Sequence, residues 1–194
     1  MVFRMCSTKN FKIARFVDLN ACKRIFSDHS TFIIGSPERY RYMEGAKKDT
    51  HENHVTIGDS TYGIQPFLIS CWTKLDGDSP SKEEWKIFEE EKENGKIHRP
   101  IIAIVSTPRK VESFLKKKLD IQQKDGVFRD ITSNEVTYYN ENSKKPDENT
   151  CPYWPVFHKR KKTKQGKEFC KEKEYRFAIR IKQHFFCKFF FLLN

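Results

Sequence analysis

Apolar side chains recur along this chain in two rhythms, and each predicts a different element. Short β-branched or aromatic runs at 12–16, 31–34, 67–71 and 135–139 predict strands. Residues 174–181 alternate cleanly: Tyr175, Phe177, Ile179 and Ile181 fall on one side, with Glu174, Arg176, Ala178 and Arg180 on the other. Residues 100–106 are almost continuously apolar, the pattern of a strand buried on both faces. Three segments carry helical spacing instead. Asp18 is placed to cap a helix whose Leu19, Cys22 and Phe26 share a face. Ser81 and Glu84 form a Ser-x-x-Glu capping box that opens a helix through Glu93, with Gly95 as its stop and Trp85 and Phe88 turned to the core. Thr107-Pro108 starts a third, with Val111, Phe114, Leu115 and Leu119 as its apolar stripe and the lysines at 116–118 toward water.

Strands and helices mix without strict βαβ alternation. That predicts an α+β fold with a mixed or antiparallel central sheet flanked by a few helices. The 194 residues suit a single domain spanning 1–194, large enough to bury a core without disulfide or metal staples. Residues 158–173, dense in Lys and Arg, read as a basic loop, and residues 184–194 as an apolar tail too short for the ~20 residues a membrane-spanning helix needs. No transmembrane segment is expected.

Charge changes the picture more than composition does. The formal net charge is +11, and such a field concentrates polyanions at a surface. Nucleotides, nucleic acid or acidic partners are the natural candidates, against the plainer reading of a lysine-rich soluble surface. The six cysteines include no Cys-x-x-Cys pair, and no apolar run follows the first residues, so a reducing cytoplasm with free thiols is expected.

Four constellations could carry chemistry. Arg39, Tyr40, Arg41 and Tyr42, followed by Asp49, His51, Glu52 and His54, sit in a polar stretch. Arg41 could grip a phosphate while Tyr40 or Tyr42 stacks on a base. The two histidines lack the His-Glu-x-x-His spacing, and no metal site is assigned. Glu174 and Arg176 share one face of their strand and are the candidate catalytic pair, against the alternative of a surface ion pair. Ser70, Cys71 and Trp72 follow an apolar strand, but no Gly-x-Ser-x-Gly elbow surrounds them. Lys159, Arg160, Lys161, Lys162 and Lys164 form a like-charge block suited to a nucleic-acid-binding arm or a solvated loop.

In this order the pieces resemble a prokaryotic domain-of-unknown-function family, number 2971. Its members have a loop ending in Asn-Asp-Pro-Phe-Glu, a strand with Ser or Cys, a Trp-bearing helix, and a late Lys followed by Glu-x-Glu-Tyr-Arg. Here the loop keeps Asp49 and Glu52 but loses the Asn, Pro and Phe. Ser70-Cys71-Trp72, Trp85, Lys159 and Glu172-Lys173-Glu174-Tyr175-Arg176 supply the rest. The resemblance implies a bacterial or phage origin and carries no established activity. Asp49, Glu52, Ser70 and Trp72 stand with Arg41, Tyr40 and Tyr42 as the substrate-binding candidates.

The layout is also similar to ADP-ribosyl-transferring folds, which hold NAD in a cleft and use a late Glu to orient the ribose. Two readings follow. One is a nucleotide-directed enzyme, with NAD as a possible cofactor and Glu174 stabilising a developing positive charge. The other is a non-catalytic nucleic-acid-binding or host-interaction protein acting through its basic surface. The position of the charge discriminates: a basic cleft that includes Glu174 favours the enzyme, and a convex basic face far from it favours binding.

Overall fold

The computed structural model describes residues 11–26, 34, 54–57, 60–63, 67–91, 101–119, 126–139, 154–161 and 168–181. The strands are β1 (Ile13–Asp18), β2 (His54–Ile57), β3 (Ser60–Gly63), β4 (Phe67–Lys74), β5 (Ile101–Ser106), β6 (Phe128–Glu135), β7 (Thr137–Tyr139), β8 (His158–Arg160) and β9 (Glu174–Ile181). The α-helices are α1 (Leu19–Phe26), α2 (Lys82–Glu91) and α3 (Pro108–Lys118), with 3-10 turns at Trp154–Phe157 and Phe169–Glu172. Five strands form one sheet in the order β5-β1-β4-β9-β6, antiparallel at every junction. The fold is α+β, a central antiparallel sheet with few helices, as the mixed rhythms predict. β2 and β3 pair as a separate antiparallel ribbon, and β7 runs parallel to β8.

Each helix begins where its capping chemistry says it should. Asp18 Oδ1 accepts the Ala21 N–H at 2.8 Å. Ser81 and Glu84 close their box in both directions, at 3.2 Å to the hydroxyl and 2.8 Å to the carboxylate. Thr107 Oγ1 accepts the Lys110 N–H at 3.4 Å, with Pro108 in the first turn. These bonds satisfy amide donors that have no partner within the helix.

The sheet is covered on both sides. On one face Ile13, Trp72, Tyr175 and Phe177 meet Val111 and Leu115 of α3. Edge-to-face ring contacts at 5.4 Å (Tyr175–Phe177) and 6.4 Å (Trp72–Phe177) lock this layer. On the opposite face Ile69, Cys71 and Ala178 pack against Val156 and Phe157 of the first 3-10 turn. Nearer β1, Phe16 lies edge-on to Trp85 of α2 at 5.0 Å.

Several expectations change here. The apolar run at 100–106 forms β5, which lies at the edge of the described sheet with Val105 40% exposed. The strand buried on both faces is β9, despite its charged residues. β9 has neighbours on either side and a layer over each face, and its charges are paired. β6 is too polar to stand out in the sequence and is held by pairing with β9 along most of its length. The run at 135–139 is split: Glu135 ends β6, and the chain turns at buried Val136 into β7. In α1 the buried residue is Ala21, while Phe26 is 70% exposed. The segment 158–173 is not loop throughout, since it contains β8 and a 3-10 turn. Residues 31–33 and the tail at 184–194 lie outside the described residues. Among the described residues no helix is long and apolar enough to cross a membrane.

Candidate functional site at the Glu174–Arg176 pair

β9 enters the sheet from Lys173, whose positive φ of 44° turns the chain out of the preceding 3-10 turn. The residue that follows, Glu174, is the first of the strand. Period-two geometry then sets its side chain beside that of Arg176. Both residues are buried, at 7% and 1% exposure.

The contact between them is a two-pronged ion pair. Arg176 Nε donates to Glu174 Oε1 at 2.8 Å, and Nη2 donates to Oε2 at 3.1 Å. The third guanidinium nitrogen, Nη1, donates to the Val156 carbonyl at 2.7 Å and so ties the 3-10 turn to the sheet. Lys159 reaches in from β8, donating to Glu174 Oε2 at 3.1 Å and to Glu172 Oε2 at 3.0 Å. Its ammonium also lies 4.4 Å from the centre of the Phe169 ring. Cys71, opposite Arg176 in the β4–β9 register, hydrogen-bonds the Glu174 carboxylate through its thiol. The backbone of Glu174 is held as well: its N–H donates to the Tyr138 hydroxyl at 3.0 Å, and its carbonyl accepts the Val136 N–H at 2.8 Å.

The electrostatics follow from these contacts. Burial by itself pushes the Glu174 carboxyl up. The charges of Arg176 and Lys159, with hydrogen bonds from Arg176 and Cys71, outweigh burial and hold the carboxyl well below the usual carboxylate range. Burial first, and then the Glu174 charge, push the Tyr138 phenol well above its ordinary range. Two cations thus face two carboxylates in one enclosed cluster. A carboxylate so acidic is a poor general base near neutral pH. It is ionised, as a stabiliser of positive charge must be, but both its oxygens are engaged and little of it is open to a ligand.

The predicted site residues divide. Glu174, Arg176 and Lys159 come together. Ser70 and Trp72 also come together, but on the opposite face of the sheet, where Ser70 pairs in register with Phe177. There Ser70 Oγ accepts from Trp72 Nε1 at 3.0 Å and from Arg15 Nη1 at 3.2 Å. Ser70 and Trp72 are therefore core residues, separated from Glu174 by the sheet itself. Lys159 turns inward to carboxylates. Lys161 is exposed, and its carbonyl accepts the Phe169 N–H at 2.9 Å. Arg160 and His54 are described only as backbone. Arg41, Tyr40, Tyr42, Asp49, His51, Glu52, Lys162 and Lys164 lie outside the described residues, and with them the groups expected to grip a nucleotide or NAD. Among the described residues, no three His, Cys, Asp or Glu side chains converge as metal ligands.

Sequence reasoning missed Tyr138 and the Val156 carbonyl as partners of this pair. Only the parallel β7–β8 pairing and the 3-10 turn bring them there, and neither leaves a local signal. It also passed over a charge division between the helices. On α3, Arg109, Lys110, Lys116, Lys117 and Lys118 are exposed against the single carboxylate of Glu112, which bridges Lys116 at 2.6 Å. α2, on the other side of the sheet, carries five glutamates against Lys82 and Lys86. A helical projection of 108–118 contains that signal.

Compared with known protein families, curated proteins and solved structures, the chain matches none.

Proposed function

We propose that the protein is a non-catalytic nucleic-acid-binding protein that meets its ligand through the basic face of α3. The observation that carries this reading is the separation of charge across the sheet. Cations crowd the outer surface of α3, while α2 on the far side is rich in glutamate. The basic face of α3 stands across the sheet from Glu174, and a polyanion attracted by the +11 chain would meet it there without reaching the buried pair. In this reading the Glu174–Arg176 cluster is scaffold that fastens the 3-10 turn and β8 to the sheet. Fluorescence anisotropy with labelled nucleic acid tests it. Binding at low salt that weakens steeply as salt rises is expected, because phosphate contacts release counterions. Absence of binding at low salt, or binding indifferent to salt, overturns it.

A second reading, a nucleotide-directed enzyme of the ADP-ribosyl-transferring kind, is favoured by one feature: Glu174 is held ionised beside a guanidinium. Thermal-shift measurements with NAD, ATP and GTP test it. A salt-resistant shift with one of these, abolished in Glu174→Gln, supports this reading, and its absence with all three leaves the nucleic-acid reading alone.

A further inference from the structure

α3 carries its charge in a regular array. Arg109 and Lys116 are seven residues apart, as are Lys110 and Lys117. Seven residues make nearly two whole turns, so each pair stays on one side of the helix, about 10.5 Å apart along the axis at ~1.5 Å per residue. The two pairs are adjacent in sequence and form two short parallel rows of cations. Among the described residues this face shows no stacking platform. The one aromatic residue of α3, Phe114, packs against the core, and the Lys118 ammonium lies 6.0 Å from its ring centre. Proteins that bind single strands generally add aromatic platforms to a basic groove. The described residues of α3 offer none.

We infer that the ligand of this face is a nucleic-acid duplex, gripped by its phosphates. The inference rests on the nucleic-acid reading given above and narrows it to a ligand class. A duplex presents phosphates in rigid rows at high density, so a rigid array of cations meets them without ordering the ligand. A single strand would have to be ordered on a helix whose described residues offer its bases nothing to stack on. Lys116 is already bridged by Glu112. Arg109, Lys110 and Lys117 remain as the phosphate contacts. Three contacts on a duplex give a slope of about −2.7 for log K against log salt, or a loss of about 40-fold between ~50 and ~200 mM.

The test is anisotropy on the full chain with a duplex of about 20 base pairs and a single strand of the same length, over that salt range. Two double variants accompany the wild type: Lys110→Glu with Lys117→Glu on α3, and Lys82→Glu with Lys86→Glu on α2. All four lysines are exposed, and both variants lower the net charge equally. The expected result has three parts. The duplex binds at least tenfold more tightly than the strand. The α3 variant loses at least tenfold in duplex affinity and flattens the salt slope by about 2, close to one unit per lysine removed. The α2 variant stays within threefold of wild type. A strand that binds as tightly as the duplex overturns the duplex inference and leaves the nucleic-acid reading standing. Equal losses in the two variants overturn α3 as the contact face. Absence of binding by either ligand at low salt overturns both readings.

Discussion

Glu174→Gln keeps the shape of the side chain and removes its charge from between two cations. The side chains of Arg176 and Lys159 are only 2% and 10% exposed, so neither can recover its hydration without moving. Glu172 still faces Lys159 at 3.0 Å, but the two-pronged partner of Arg176 becomes a neutral amide. Breaking a buried ion pair by removing one member costs about 3–5 kcal/mol. For a chain of this length each kcal/mol is worth about 2–4 °C, which gives a fall in Tm of about 6–20 °C at pH 7. The pH dependence has a definite sign. Glu174 has a folded-state pKa below its unfolded value, so its contribution is fully present above the unfolded value of 4.5 and is lost as pH falls from there through the lower folded one. Wild type and variant therefore differ most at neutral pH and converge in acid. Thermal and urea melts of both proteins at pH 7 and near pH 3 measure this. A gap under 2 °C at pH 7, or a gap that persists unchanged in acid, would refute the account of the pair as a buried, ionised clamp.

Other positions yield independent predictions. Tyr138→Phe removes the acceptor of the Glu174 N–H and costs about 1–3 kcal/mol in urea denaturation at neutral pH. Because the folded phenol is held protonated, wild type also loses stability as pH climbs past the unfolded value of 10.0, and the variant loses less over that window. Ser81→Ala removes one half of the α2 capping box and lowers stability by about 1 kcal/mol, read as a shift of the urea midpoint at unchanged slope. Leu115→Ala opens a cavity in the layer between α3 and the sheet and costs about 2–5 kcal/mol by the same assay.

The helices were legible because their signals are local. Asp18, the Ser81–Glu84 box and Thr107-Pro108 act on amides within three residues, and the stripe of Val111 and Leu115 needs only the helical period to be read. Of the candidate site, the shared face of Glu174 and Arg176 was equally legible, because strand alternation alone imposes it. Ser70 and Trp72 lie on the sheet face opposite that pair. The order of residues along β4 does not say which side of the sheet each one faces relative to another strand; the β4–β9 register does.

What the sequence alone determined is the three helices, the strands with a clear apolar rhythm, the α+β class and the pairing of side chains two or four residues apart. Only the tertiary structure decided which strand is central. β5 reads as a buried strand and lies at the edge of the described sheet, while β9 reads as half polar and is enclosed on both faces. Hydrophobic pattern reports the average burial a segment prefers. Strand order is fixed by contacts across more than a hundred residues of chain, as between β4 and β9. There Lys159, Val156 and Tyr138 supply Glu174 and Arg176 with the partners that make their burial tolerable, and no local pattern announces those partners.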